Sequence, residues 1–261
     1  VLNGRRLLMT GVATPDSIAY ATARRSLELG AELVLTAFPR DLHAVTELAA
    51  TLGPDIAVFP LDLTDEAQVD ALTTRLRDEV GMVDGALHAV AFAPGDALRG
   101  RMTDADPSGV QLAFRTSAWS LTALSRMVAQ LAPEGGASIV GLDFDADDRA
   151  WPTYNWMGVC KAALRSSARY LARDLGPSRI RVNLVAAGPL RTRAASAIPG
   201  FELLTDAWAS TAPLRWDESD AEPVADVACF LLSSGSRAMT GEVVHVDGGF
   251  HAMAGPLVPP G

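Results

Sequence analysis

The chain predicts an α/β architecture, a doubly wound seven-stranded parallel sheet with helices on both faces, on three observations. Apolar β-type runs alternate with helical patterns from end to end of the 261 residues. The runs read Leu-Val-Leu or Ile-Val-Gly with little polar alternation, as strands do when both faces of a sheet are covered. No Pro/Gly/Ser linker, charge run, repeat or low-complexity segment divides the chain, so residues 1–261 read as one domain, although the length alone would permit two.

The elements follow in order. Arg6–Gly11 is an apolar strand closed by glycine, and the helix near Ile18–Leu29 opens after Asp16 or Ser17, either of which suits an N-cap. Glu32–Phe38 and Ile56–Asp62 are the next strands, with helices near Leu42–Leu52 and Glu66–Val80 after them. Gly85–Phe92 is a fourth strand, followed by a long helical pattern near Ser108–Leu131. Ser138–Phe144 leads to the helix Tyr154–Leu175, and Ile180–Ala187 and Glu242–Val246 flank the last helix near Pro223–Leu232. The tail Gly255–Gly261 reads as irregular.

Composition excludes several classes. Hydrophobic residues make up 49% and charged residues 20%, enough apolar surface for a substantial core. A net charge of −9, with 22 basic against 31 acidic residues, disfavours nucleic acid, because phosphate neutralisation needs a basic face. No run approaches the ~18 apolar residues of a membrane span. The start, Val1-Leu2-Asn3-Gly4-Arg5-Arg6, lacks the apolar core of a signal peptide, so a cytoplasmic location is the expectation. The two cysteines, Cys160 and Cys229, have neither paired spacing nor a neighbouring His, which points to small core residues and no metal site.

Chemistry concentrates in Thr153-Tyr154-Asn155-Trp156-Met157-Gly158-Val159-Cys160-Lys161. Tyr154 and Lys161 stand about two helical turns apart, at ~3.6 residues per turn, and project from one face. A phenol can hydrogen-bond an oxygen on which negative charge develops, while the ammonium holds a sugar hydroxyl and keeps the potential positive. That combination suits redox chemistry on a nicotinamide cofactor; the other reading is a half-buried Tyr and a solvated Lys that share a face by chance.

In a doubly wound sheet, ligands bind beyond the carboxyl ends of the strands. The first end reads Thr10-Gly11-Val12-Ala13-Thr14-Pro15-Asp16-Ser17-Ile18-Ala19, which is not the usual G-x-G-x-x-G. Gly11 provides the tight exit, and Ser17 and Ile18 open a helix whose free N–H groups and positive dipole end suit a pyrophosphate, or else this is an ordinary capped helix. The second end, Thr36-Ala37-Phe38-Pro39-Arg40, has an aromatic and a proline where many dinucleotide folds place an acid. Phe38 can stack on adenine or belong to the core. Asp62, before Leu63, can accept the adenine amino group or cap the next helix.

Taken as an ordered set, these segments resemble the enoyl-acyl-carrier-protein reductases of the short-chain dehydrogenase/reductase superfamily, most closely their mycobacterial-type, long-chain branch. The set comprises Gly11…Ser17-Ile18-Ala19, Phe38, Leu61-Asp62, His88-Ala89-Val90-Ala91-Phe92, Gly141-Leu142-Asp143-Phe144-Asp145, Tyr154…Lys161 and Asn183-Leu184-Val185-Ala186-Ala187-Gly188-Pro189-Leu190-Arg191-Thr192. It runs on to Asp247-Gly248-Gly249. The wide Tyr-x6-Lys spacing is its specific part, since most of the superfamily has Tyr-x3-Lys.

The resemblance implies a Rossmann-type fold and NADH-dependent reduction of a trans-2-enoyl thioester in fatty acid biosynthesis, with acyl carrier protein as the carrier and a homotetramer as the assembly. It implies catalytic roles for Tyr154, Lys161 and Phe144. Cofactor contacts are implied at Gly11, Val12, Ser17, Ile18, Phe38, Asp62, Leu63, Ala89, Val90, Ala91, Leu142, Asp143, Lys161, Gly188, Pro189, Leu190 and Thr192. Phe144, Tyr154, Met157, Ala194 and Ile198 are implied at the substrate, and no metal is. Gly188 permits close backbone approach to the cofactor. A flap over the substrate is expected near residues 193–210, shorter than in the long-chain branch.

Two alternatives stand beside this reading. A carbonyl (3-ketoacyl) reductase of the same superfamily usually carries a Ser thirteen residues before the Tyr, where this chain has Gly141, and Asn-Asn-Ala-Gly after the fourth strand, where it has His88-Ala89-Val90-Ala91. A catalytically silent dinucleotide-binding paralogue is the other. Two departures from the family pattern matter. Ala89 replaces a Ser that could hold an ordered water against a cofactor phosphate, and Pro39 removes an acid from the adenosine end. NADH remains the expected cofactor over NADPH, because Arg40 is followed by Asp41 and no second cation joins it to clasp a 2′-phosphate. Arg99, Arg101, Arg149, Arg191 and Arg193 form a basic group near the site that suits a phosphopantetheine phosphate or an acidic carrier, or are scattered solvated residues.

Overall fold

A computed structural model describes residues 1–152, 154–198 and 200–255. Seven strands form one parallel sheet: β1 (Arg6–Met9), β2 (Glu32–Ala37), β3 (Ala57–Pro60), β4 (Gly85–His88), β5 (Ser138–Asp143), β6 (Arg181–Ala187) and β7 (Val243–Val246). Their order is β3-β2-β1-β4-β5-β6-β7, with every pair parallel. The helices are α1 (Ile18–Glu28), α2 (Leu42–Leu52), α3 (Glu66–Glu79), α4 (Gly95–Leu98), α5 (Pro107–Phe114), α6 (Ser120–Leu131), α7 (Asn155–Leu175), α8 (Phe201–Thr211) and α9 (Glu222–Leu232).

The unalternating strand sequences have a direct cause in the two cores. Successive side chains of a strand point to opposite faces. Leu8, Val34, Ala86, Ile139, Val182 and Leu184 pack under α3, α6 and α7, against Leu72, Leu124, Met127 and Leu164. Their neighbours Leu7, Met9, Leu33, Leu35, Leu87, Val140 and Val185 pack under α1, α2 and α9, against Ala23, Ala49, Val224 and Leu231. A third apolar cluster joins Phe144, Tyr154, Met157 and Cys160 to Phe201, Leu204 and Trp208 of α8 and to Phe250. Both cysteines are buried and free, as expected of core residues. Among the described residues no helix is long and apolar enough to cross a membrane.

Three differences from the sequence reading have physical reasons. β4 stops at His88, so Ala89 to Phe92 leave the ladder and form a loop at the sheet's carboxyl edge. The helical pattern 108–131 is interrupted at Arg115–Trp119 by a π-turn. A single widened turn barely disturbs a 3.6-residue apolar period, yet it swings Ser117 and Ser120 toward β4. Ser117 Oγ donates to the Phe92 carbonyl at 3.0 Å and accepts from the Phe92 N–H at 2.9 Å. Helix α7 starts at Asn155 and not at Tyr154, which is its N-cap residue. Thr153, Pro199 of the expected flap and residues 256–261 of the expected irregular tail lie outside the described residues.

Candidate active site

The strand order reverses between β1 and β4, and the crevice there is where a doubly wound sheet takes its ligand. Gly11 turns the chain out of β1 with φ +78°, and a Cβ on it would stand 2.1 Å from the Ala89 carbonyl oxygen. Only glycine fits between these two loops. Ser17 is the N-cap of α1, its Oγ accepting from the Tyr20 N–H at 3.1 Å, so the remaining first-turn N–H groups and the positive dipole end are left for an anion. A cleft of about 370 Å³ opens between Ser17 and Leu190–Thr192, bordered by Arg24 and Glu222.

The other positions expected at a cofactor divide by what their side chains do. Val12, Leu63 and Leu190 are buried in the sheet cores, and the half-buried Ile18, Val90 and Leu142 pack against them. Ala91 is exposed and Ala89 half-buried beside the crevice. Phe38 is 42% exposed, with the Arg40 guanidinium 4.7 Å above its ring. It is therefore not a core residue. Asp62 does not cap α3; Asp65 does, and Asp62 Oδ1 accepts from the N–H and hydroxyl of Thr64, both at 2.8 Å. Thr192 Oγ1 accepts from the Ala195 N–H at 3.2 Å.

Gly188 is required for a reason the sequence hid. A Cβ there would meet Trp216 Cε2 at 2.7 Å and Trp208 Nε1 at 2.9 Å, so the side-chain direction faces two indoles. The Pro189 carbonyl accepts from Trp216 Nε1 at 2.7 Å, which fixes the course of the segment toward Thr192.

Tyr154 and Lys161 are both buried, which rules out the solvated-lysine alternative. The Tyr154 ring lies 5.1 Å from that of Phe144, and its hydroxyl has no hydrogen-bond partner among the described residues. Burial, then the Asp143 charge, raise its pKa far above the ordinary phenol value, so Tyr154 is a neutral donor. Asn155 next to it has φ +27°, a strained backbone for a non-glycine residue. That residue is held from outside: Asn155 Nδ2 donates to Gly100 O and Trp156 Nε1 to Met102 O, both at 3.2 Å.

Lys161 Nζ donates to the Leu142 carbonyl at 2.9 Å, at the carboxyl end of β5. Burial pulls its pKa down and the Asp143 charge opposes that pull. Asp143 is paired on one oxygen with Arg165. Its Oδ2 lies 2.5 Å from Arg165 Nε, and burial pushes its carboxyl up against the pull of Lys161 and Arg165. Arg165 also pairs with Asp145 at 3.1 Å and with Asp147, and His245 Nε2 reaches Asp145 Oδ1 at 3.2 Å. This network anchors the segment that carries Phe144. It went unseen in the sequence because each acid of the 143–147 segment finds its basic partner 18 or more residues away, on α7 or β7.

Phe144 links the phenol to a ring cluster of Trp151, Trp208 and Phe250. Trp208 stacks on Phe250 at 3.8 Å, and Trp151 lies 5.2 Å from Trp208 with its Nε1 donating to Asp145 O at 2.8 Å. Met157 and Ile198 border this cluster, while Ala194 is exposed. Of the five arginines, Arg149 pairs with Asp145 and Asp148, and Arg191 with Glu218. Arg99, Arg101 and Arg193 form no salt bridge among the described residues. Position 141 carries no carbonyl-polarising hydroxyl, and a Cβ there would stand 2.6 Å from Leu184 Cδ2, so that leucine would have to shift to admit a side chain.

Comparison with known proteins agrees with this geometry. The family model described as Enoyl-(Acyl carrier protein) reductase matches residues 11–251. The chain is 40% identical to the enoyl-[acyl-carrier-protein] reductase [NADH] of Mycolicibacterium smegmatis, over 95% of this chain and 97% of that protein. It is 41% identical to the corresponding reductase of Bacillus subtilis, over 97% and 98%. The likeness is thus shared evenly between the mycobacterial and Bacillus enzymes. Among solved structures, the Bacillus cereus enoyl-acyl carrier protein reductase with NADP+ and an indole naphthyridinone superposes with a TM-score of 0.92 at 39% identity, covering 96% of this chain and 98% of that one. The crevice at Gly11 and Ala89, the buried Tyr154 and Lys161 and these matches converge: the chain belongs to the enoyl-(acyl carrier protein) reductase family.

Proposed function

We propose that this protein reduces the double bond of a trans-2-enoyl thioester, carried on acyl carrier protein, with NADH. The observation that carries the reading is the Tyr154 phenol: buried, neutral, without a partner among the described residues, and beside Phe144 at the end of β5. The glycine contact at Gly11–Ala89 and the open α1 N-terminus at Ser17 fit a dinucleotide. When bound, NADH supplies a hydride to the substrate β-carbon.

The residues do the rest. As charge moves onto the thioester oxygen, Tyr154 donates a hydrogen bond to it, in a site whose burial strengthens that bond relative to water. Lys161, fixed at Leu142 O, keeps the local potential positive and holds the nicotinamide-ribose hydroxyls. Phe144 and Met157 line the acyl side and exclude water. The backbone of Gly188 to Thr192, braced by Trp216, borders the nicotinamide and phosphates. At the adenosine end Arg40 lies 3.6 Å from Asp41, which diverts its charge from a 2′-phosphate and favours NADH over NADPH.

The test is loss of NADH absorbance with a trans-2-enoyl thioester, compared with a 3-ketoacyl thioester and with NADPH. Turnover of the enoyl substrate with NADH supports the reading; turnover of the ketoacyl substrate alone overturns it. Arg99, Arg101 and Arg193 are the cations left for the carrier's phosphopantetheine or acidic surface, so acyl carrier protein thioesters should be used better than coenzyme A thioesters. A homotetramer is also proposed, supported by exposed Leu112, Phe114, Val159 and Tyr170 on α5 and α7, and light scattering after size exclusion tests it.

A further inference from the structure

His88, the last residue of β4, has no role in the chemistry above, yet it is 1% exposed and stands beside it. Its Nε2 lies 2.7 Å from Ser120 Oγ, and that oxygen lies 2.6 Å from the Thr116 carbonyl. A carbonyl can only accept, and two oxygens this close need a proton between them, so the Ser120 hydroxyl donates to Thr116. Ser120 must then accept from His88. Hydrogen-bond logic thereby fixes the tautomer: Nε2 carries the proton and Nδ1 bears the lone pair.

That lone pair is the unusual feature. Nδ1 is completely buried and has no hydrogen-bond partner among the described residues. Burial, then the charge of Lys161, lower the His88 pKa to about 3, so the ring is neutral at any working pH. Lys161 has three N–H donors, of which one goes to Leu142 O. Leu142 follows Gly141, the residue paired with His88 across the β4–β5 ladder, so the cation and the unpaired acceptor stand over adjacent strand ends.

We propose that His88 is a positioning residue for Lys161: its Nδ1 lone pair accepts from the ammonium through one bridging water, leaving the cation held between two fixed acceptors. The third N–H is then aimed at the nicotinamide ribose. A neutral acceptor suits this place because it orients the cation without cancelling its charge, while Asp143 supplies the counter-charge. This inference rests on the reading of Lys161 as the residue that holds the cofactor ribose.

Three measurements test it, none of which needs the enoyl substrate. With only four histidines in the chain, nitrogen-15 spectra of the imidazoles resolve the His88 tautomer. Nε2 protonated and Nδ1 bare, with Lys161→Met moving the Nδ1 resonance, is the expected result; a protonated Nδ1 overturns the proposal. NADH titration then compares two variants. His88→Gln keeps a donor for Ser120 but no acceptor where Nδ1 was, and should weaken NADH several-fold and move the alkaline limb of binding down by about one pH unit. His88→Asn keeps an acceptor at the Nδ1 position and should stay within about two-fold of wild type, with an unmoved limb. A purely structural role would lower the melting temperature of both without moving the limb. Wild-type binding and limb in His88→Gln overturn the proposal, and should that variant fail to fold, the tautomer and its response to Lys161→Met decide. Failure of the wild type to bind NADH would instead overturn the cofactor reading, and failure to turn over enoyl thioester the substrate reading.

Discussion

Tyr154 is asked to act late and Lys161 early. The phenol contacts the thioester oxygen only as charge develops, so Tyr154→Phe should lower kcat at least about ten-fold while NADH affinity, read by fluorescence titration, changes little. Wild-type turnover in the Phe variant would remove Tyr154 from the mechanism. Lys161→Met should show the opposite split, weaker NADH binding with the fold intact. Ala89 is a third residue to test. It adjoins Gly11 at the crevice mouth, its carbonyl against the glycine and its N–H on Thr10 Oγ1 at 3.1 Å. A hydroxyl added there can hold a water against a cofactor phosphate, worth roughly 1 kcal/mol. Ala89→Ser should therefore tighten NADH several-fold by calorimetry; equal or weaker binding would refute that role.

At the scale of elements, the charged network between β5, α7 and β7 controls where Phe144 stands. Arg165 gathers Asp143, Asp145 and Asp147, and His245 joins from β7, its ring stacked on that of His251 at 4.0 Å. The hydrogen bond from His245 holds Asp145 at about 2, and Asp145 in turn lifts His245 above its ordinary 6.5. The sign follows from linkage. A histidine raised in the folded state contributes stability that is fully present below pH 6.5 and is lost as pH climbs through the raised value. Melting temperature should thus fall as pH rises through that window, and His245→Gln should flatten the fall. An identical slope in wild type and variant would place the pH dependence elsewhere. Little of this network is legible in the sequence: Asp145 stands there only as part of a motif, and Arg165 and His245 carry no local pattern. The Tyr154 to Lys161 spacing was legible because both ends lie in one short segment.

At the scale of the molecule, the proposed function would place the acyl chain beside α8 and the ring cluster that its Trp208 joins. The inward residues of α8, Phe201, Leu204 and Trp208, are already packed against Phe144, Trp151 and Phe250, which leaves little apolar surface for distal methylenes. Each buried CH₂ contributes only ~0.8 kcal/mol, so the gain in kcat/KM should flatten beyond a medium chain. Trp151→Ala opens space next to Trp208 and should restore a gain for longer chains while the short-chain rate changes less than about three-fold. A steady rise for wild type from roughly C8 through C16, measured below micelle-forming concentrations, would show that the wall does not limit the acyl chain.

What the sequence determined by itself was everything that local pattern encodes. Unalternating strands between amphipathic helices imply a parallel sheet covered on both faces, and such a sheet puts its ligand at the carboxyl edge. Gly11, Ser17 and the Tyr-x6-Lys pair could be named because each sits in one short segment whose geometry follows from backbone rules. Tertiary structure decided what depends on residues far apart in sequence. It placed the Leu184 side chain 2.6 Å from where a Cβ at position 141 would stand, set two indoles against Gly188, turned Asp143 onto Arg165 and brought Trp151, Trp208 and Phe250 together beyond Phe144. It also inserted the π-turn that delivers Ser120 to His88. One-dimensional periodicity reports which face of an element is apolar. Which residue of another element meets that face, and whether a buried polar atom finds a partner there, is set only when the layers pack.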